Sequence, residues 1–152
     1  MTVTHSFVSA KSDGGDTTIV RPSDWNADHV VQLTKTITAI IDGGGNAITT
    51  GIKGDLEIPF GCTIQRVTML ADQTGSIVVD VWKDTYSNYP PADADSITAA
   101  APPTIASNTK SQNSTLTGWT TAITSGDVLR FNVDSCTAIT RVCISMQVIA
   151  GA

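Results

Sequence analysis

Charge is scarce in this sequence: Asp, Glu, Lys and Arg together make up 15% of its 152 residues. The nine basic residues are scattered singly and the net charge is −5. That pattern argues against a nucleic-acid surface, because non-specific phosphate binding draws its affinity from clustered Lys and Arg. Long apolar runs are also missing. No stretch approaches the roughly 18 to 20 residues that a membrane-spanning helix needs, so no membrane insertion is expected. The opening residues, MTVTHSFVSAKSDGG, have neither the basic start nor the apolar centre of a secretory leader, and synthesis in the cytoplasm without export is the expectation.

Cysteine, histidine and catalytic motifs are sparse as well. Cys62, Cys136 and Cys143 form no CxxC and have no histidine beside them, which fits neither a disulfide framework nor a zinc site. Cys143 lies in an alternating apolar run and reads as a small buried hydrophobe. Whether Cys62 and Cys136 pair depends on the fold bringing them together. His5 and His29 have no thiol or carboxylate cluster to complete a metal site. Asp13 and Asp16 flank Gly14 and Gly15, but the further oxygen ligands and the terminal Glu of an EF-hand are missing, so this reads as a solvated Asx/Gly turn. GxSxG, HExxH, GxGxxG and the phosphate-loop motif are all absent. With no convergent acid, base and nucleophile, the reading is of no enzyme, no cofactor, and no catalytic or metal-binding residue.

Thr, Ser, Gly and Asn are plentiful. They favour strands and turns, because β-branched Thr loses rotamer freedom in a helix and Ser and Asn compete for backbone hydrogen bonds. A hydrophobic share of 41% is too high for disorder, and the length suits one domain. Residues 1–34 show no sustained period and read as an arm that cannot build a core of its own. Its isolated large groups need a docking surface, which makes Phe7, Ile19, Trp25 and His29 candidate partner-docking residues. Pro22, Ser23 and Asp24 suit a capped turn, with Trp25 as a plug for an apolar pocket on a partner or on its own domain.

Residues 35–152 read as one β-sandwich domain. TKTITAIID is a first strand, and Gly43, Gly44, Gly45 and Asn46 predict a tight reversal. In AITTGIKGDLEIPF, Ile48, Thr50, Ile52, Gly54, Leu56 and Ile58 share one side at period two, with Gly51 and Gly54 as bulge or bend positions. CTIQRVTMLAD and SIVVDVWKD read as a strand pair joined by a turn at residues 73–76. The Pro-rich stretch around Pro90 and Pro102 excludes a long central strand and carries at most a short edge strand near Ile97. QNSTLTGWTTAI is a strand or an extended loop held by Leu116 and Trp119. SGDVLRFNVDS points Leu129, Phe131 and Val133 inward. The final segment sets Val142, Ile144, Met146 and Val148 against Arg141, Cys143, Ser145 and Gln147. Seven or eight such strands predict an all-β fold, an antiparallel β-sandwich of jelly-roll type with an extended, mostly irregular N-terminal arm.

Trp82, Tyr86, Tyr89 and Trp119 supply the aromatic surface candidates: a glycan-stacking patch, a subunit interface, or a lid over one end of the sandwich. Asp80, Asp84, Asp93 and Asp95 read as solubilising charges in preference to the acid pair of a glycosidase.

Two stretches are familiar as wholes. The arm, HSFVSAKSDGGDTTIVRPSDWNADHV, resembles a segment near the N-termini of many tailed-bacteriophage structural proteins, often tail fibres, through the joint presence of FVSAKSDG, the run into VRPSDW, and the closing WNADH. The body, from IDGGGNAITTGIKGDLEIPFGC to LTGWTTAITSGDVLRFNVDS, is similar to a β-rich domain recurrent in phage virion proteins. Together they cover nearly the whole chain. The resemblance implies a non-enzymatic virion structural protein, made in the host cytoplasm and displayed on the particle exterior. Its partners would be other virion proteins of the tail or capsid. Tail-fibre or baseplate association is the first expectation, with a homo-oligomer, a trimer by analogy with fibres. A head-decoration (cement) protein is the alternative favoured by a compact length without shaft repeats. A host-glycan-binding module using Trp82, Tyr86, Tyr89 or Trp119 is the other. No catalytic or ligand-binding position is carried over.

Overall fold

The structure is a computed structural model that describes residues 2–3, 8–27, 29–30 and 32–151, with the backbone alone at 2–3 and 29–30. Phe7 lies outside the described residues. Along the chain come β1 (Thr2–Val3), α1 (Pro22–Asn26), β2 (His29–Val30), β3 (Leu33–Asp42), β4 (Gly51–Ile58) and β5 (Cys62–Thr85). Two single 3-10 turns follow, at Tyr86–Asn88 and Asp93–Asp95, then β6 (Thr104–Asn113), β7 (Ala122–Ile123), β8 (Asp127–Thr137) and β9 (Arg141–Ala150).

The class is the expected one, all-β and antiparallel with a sandwich-like body. The jelly-roll type is not confirmed. Seven strands share one curled sheet in the order β3-β9-β5-β8-β4, and β6 and β7 also pair with β5. β5 is the spine. Its first half, from Cys62 to Ala71, pairs with β9, and its second half, from Ser76 to Thr85, pairs with β8. β6 lies along its other side across the middle, opposite Val67 to Val78. β3 and β4 continue one after the other on the outside of β9 and β8. The molecule is therefore a long sheet bent across its middle, with half I (β3, β9, the start of β5) folded over half II (β4, β8, the end of β5).

The bend corrects two sequence expectations. Residues 73–76 do not reverse the chain, and β5 runs through them as one strand. The loop joining β8 to β9 keeps this stretch extended through the bend: Gln73 donates to the Ala138 carbonyl, and the Asp72 carboxylate accepts from the Thr140 and Arg141 N–H groups at 3.2 and 3.0 Å. Nor do the glycines after β3 make a hairpin with β4. Gly44 and Gly45 take φ of +66° and +85°, but Gly43 N–H donates to Thr140 and Ile48 N–H to Ile139, at 2.8 and 2.9 Å. The turn carries the chain past the bend, still beside the same neighbour.

Alternation then builds the core. Ile37 and Ile41, Ile64, Val67 and Met69, and Ile144, Met146 and Val148 face inward from half I; Ile58, Val79, Val81, Leu129, Phe131 and Val133 face them from half II. Most are fully buried, and each such side chain contributes about 1.5 to 3 kcal/mol relative to exposure. In β4 the expected period fails at the bulge. The register shifts between Ile52 and Gly54, which moves Ile52 to the outer face, where it is half-exposed.

All three cysteines are free thiols. Cys62 pairs opposite Ala150 and Cys136 opposite Ile77, at separate stretches of β5, so they do not meet. Burial pushes the Cys62 thiol pKa up, as it does that of Cys136. Cys143 is not the buried residue expected: it is half-buried on the outer face of half I.

Candidate functional site

Of the four aromatic candidates, the structure brings two together and buries the other two. Trp82 and Trp119 are 8% and 9% exposed. The Trp82 indole N–H donates to Asp80 Oδ2 at 2.8 Å, and that of Trp119 to the Ala101 carbonyl at 2.9 Å. Neither ring presents a stacking face to a ligand, so both leave the candidate patch. Asp80 is likewise buried and committed: its carboxylate also accepts from the Val81 N–H, Ser96 Oγ and Thr98 Oγ1. It fixes the loop after β5 to the sheet and is no glycosidase acid. Asp84 accepts from the Thr85 N–H and the Asn88 amide, and Asp95 from the Ala92 N–H, so these carboxylates order their own turns.

Tyr86 and Tyr89 stand at the surface, 74% and 50% exposed. With Asp55, Leu56, Glu57 and Val128 they line an open groove of about 430 Å³ between β4 and the loop following β5. Tyr89 is held in place. Its hydroxyl donates to Asp55 Oδ2 at 2.7 Å, and its ring lies under the Arg130 guanidinium, 5.4 Å from centroid to Cζ. Arg130 in turn forks onto both Asp55 oxygens at 2.7 and 2.9 Å and donates to the Pro91 carbonyl at 3.1 Å. The Arg130 guanidinium holds the Asp55 carboxyl below the usual carboxylate range, with the Tyr89 hydroxyl adding to the effect. The same Asp55 contact raises the Tyr89 phenol above its ordinary value. The result is a rigid aromatic ledge with carboxylates on its rim. No nucleophile stands beside a base there.

Sequence reading missed this network, because Asp55 and Arg130 are 75 residues apart and meet only through the β4–β8 register. It also missed an inward-facing ion pair, Lys83 to Asp127 at 2.8 Å. Among the described residues, no three His, Cys, Asp or Glu side chains converge as a metal ion would require, and no helix is long and apolar enough to cross a membrane.

The arm is more ordered than expected. Ser9 and Asn26 bond reciprocally, Ser9 N–H to Asn26 Oδ1 at 2.9 Å and Asn26 Nδ2 to the Ser9 carbonyl at 3.0 Å. Asp13 accepts the Ser23 N–H at 3.0 Å and also its hydroxyl, and these two contacts draw its pKa down. Asp16 accepts the Thr18 N–H at 2.9 Å, an Asx turn that lies after Gly14 and Gly15 and not around them, while its carbonyl accepts from Arg21 Nε at 3.2 Å. Asp24 caps α1 by accepting the Arg21 N–H at 3.1 Å, with Pro22 in the first turn. β1 pairs with β2, His29 opposite Val3. No protein-family model, curated protein or solved structure matches the chain. What the arm contributes must be read from its surface. Ile19 and Trp25, two of the docking candidates, are 60% and 56% exposed, and Val8 and Val20 are exposed with them.

Proposed function

We propose that the chain is a non-enzymatic structural module of a tailed-phage virion, displayed on the particle exterior and attached through its N-terminal arm at the tail fibre or baseplate. The observation that carries this reading is the arm's construction. A loop with almost no buried side chains is tied across itself by Ser9–Asn26, Asp13–Ser23 and Asp16–Arg21 bonds, and it holds Val8, Ile19, Val20 and Trp25 outward. Pre-ordering lowers the entropic cost of docking, and exposed aromatic and β-branched groups supply the buried area on contact. Five of the six residues that tie the arm together, Ser9, Asp13, Arg21, Ser23 and Asn26, lie in the segments FVSAKSDG, VRPSDW and WNADH through which the arm resembles phage proteins, and Asp16 lies between them.

The paired variant Ile19→Asp and Trp25→Ala tests this. Incorporation into particles should fall about 10- to 30-fold, the loss typical of a central anchor residue, with the melting temperature of the purified protein unchanged. Unchanged incorporation would overturn arm anchoring. Dissociating particles bearing the wild-type protein separates the two addresses, since a head-decoration protein leaves with capsids.

One observation favours a second reading, glycan binding: the fixed Tyr89 ring beside the freely exposed Tyr86, rimmed by Asp55 and Glu57. Sugar rings stack on aromatic faces and carboxylates accept their hydroxyls. On this reading Tyr86→Ala abolishes retention on a glycan array without unfolding the protein, and an array blank for the wild type would dismiss it.

A further inference from the structure

Two cross-strand rows on the outer face of half II differ in how their charge is balanced. In the first, Asp55 of β4 lies opposite Arg130 of β8, which lies opposite Trp82 of β5. Two residues along, on the same side of the pleat, Glu57 lies opposite Val128, which lies opposite Asp84. The first row neutralises itself, because Arg130 forks onto both Asp55 oxygens. The second does not. Its two carboxylates flank one valine at two strand spacings, about 10 Å, and neither belongs to an ion pair among the described residues. Glu57 is exposed and has no hydrogen-bond partner among the described residues. Asp84 accepts its two bonds through Oδ1 alone. Lys83, the neighbouring cation in the strand, is turned to the inner face and held by Asp127.

The groove of about 430 Å³ opens on this second row, with Glu57 and Val128 lining it beside Tyr86 and Tyr89. Among the described residues its lining carries two carboxylates and no basic side chain, and Asp84 adds a third negative charge close by. Arg130 offsets one of the three.

We propose that the groove takes a sugar bearing a free amino group, an N-deacetylated hexosamine unit, with its ring on the tyrosines and its ammonium at Glu57. The assignment rests on the glycan reading and narrows it by charge. An acidic sugar would be repelled, and a neutral one would partly desolvate Glu57 without compensating it. An ammonium gains a charge-assisted bond to that carboxylate and attraction to the open Tyr86 face. A metal ion does not suit the site, since among the described residues no three ligating side chains converge. The cation it fits is an organic one, broad enough to cover a ring and reach a carboxylate together. Tyr89, pinned by Asp55 and backed by Arg130, gives that ring a fixed surface, which lowers the ordering cost of binding.

Calorimetric titration of the full chain with a glucosamine hexamer and with its N-acetylated counterpart, at mildly acidic pH and low salt, tests the assignment, because the two differ only in the amine. The glucosamine hexamer should bind about tenfold more tightly, the size of one hydrogen bond to a charged group. High salt should erase most of that difference. Glu57→Gln should close the gap while leaving the thermal melt unchanged, and Tyr86→Ala should weaken both ligands. Equal or tighter binding of the N-acetylated hexamer would overturn the amino-sugar assignment and leave the glycan reading standing. Binding of neither hexamer would overturn the assignment, and a blank wider glycan array would then dismiss the glycan reading too. Displacement of the glucosamine hexamer by a lysine hexapeptide at equal concentration would show that the groove reads charge on any chain, which also overturns the assignment. So would a preference for the amine that survives Glu57→Gln undiminished.

Discussion

Asp80→Ala should cost about 3 to 4 kcal/mol of stability, lowering the thermal midpoint by about 10 °C or more. One carboxylate, 7% exposed, accepts from four donors: the Val81 N–H at 2.7 Å, the Trp82 indole at 2.8 Å, Ser96 Oγ at 2.8 Å, and Thr98 Oγ1. Truncation removes the acceptor and leaves donors from β5 and from the following loop without partners, in a place water does not reach. Each buried donor left unpaired costs roughly 1 to 3 kcal/mol, partly offset because the hydroxyls rotate and the charge no longer needs desolvating. Asp80→Asn should cost nearly as much, since its amide sets a donor against the indole N–H. Trp82→Phe, which deletes one bond and exchanges the indole for a smaller phenyl ring, should cost less, about 1 to 2 kcal/mol. Equilibrium denaturation of the three variants gives the ranking. If Asp80→Ala falls within about 1 kcal/mol of wild type, this carboxylate is not what fixes the loop to the sheet.

The second large effect is expected from the smallest possible change. Gly75→Ala places a methyl against the Thr137 carbonyl, 2.8 Å from Ile139 Cγ1 and 3.1 Å from the Ile139 nitrogen. The obstructing groups are mostly backbone, so relief requires moving the β8–β9 junction that the Asp72 and Gln73 contacts hold in place. A loss of about 3 kcal/mol or more is expected, beyond ordinary overpacking, because the strain falls where the strands bend. Gly54→Ala is the matched control. It also lies in a strand at an irregularity, but a Cβ there meets nothing within 4 Å, so it should be neutral or stabilise slightly by restricting the unfolded chain. Denaturant midpoints that move equally for both would show that glycine's flexibility, and not the close approach at Gly75, sets the cost.

Strands that carry the core were legible because their faces alternate. The inward set of β8 and β9, Leu129, Phe131, Val133, Val142, Ile144, Met146 and Val148, is buried as the spacing predicts. β6 was not legible. Its sequence TIASNTKSQN buries only Ile105 deeply, and its backbone is held by β5 with little help from side chains. The bend at residues 73–76 reads locally as a turn, because its Gly and Ser favour one. What keeps them extended is contact with residues more than 60 positions away, which no local pattern records. At the candidate site, the exposure of Tyr86 and Tyr89 was within reach of sequence. The burial of Trp82 was not, since a Trp beside Asp and Lys in a strand reads as surface until a loop folds over it, whereas Trp119 is the loop anchor that its spacing from Leu116 suggests and not a surface platform. In the arm, Asp24 as a cap followed from local chemistry, whereas Asp16 turns onto Thr18 and not across the glycines, and Ser9–Asn26 and Asp13–Ser23 close across 17 and 10 residues.

The pairing of β5 with β8 and β9 also sets an order of events during synthesis. Among the described residues, β3 and β4 bond to no strand except β9 and β8, which follow every other described strand in chain order. β3 and β4 must therefore wait, with apolar faces uncovered, until β8 and β9 emerge, whereas β1 with β2, and β5 with β6 and β7, can pair earlier. Closure of the sheet should thus wait for β9 and be slow for a domain of this size. Truncation within β9 should strand β3 completely, so that a chain shortened by ten residues loses two strands and not one.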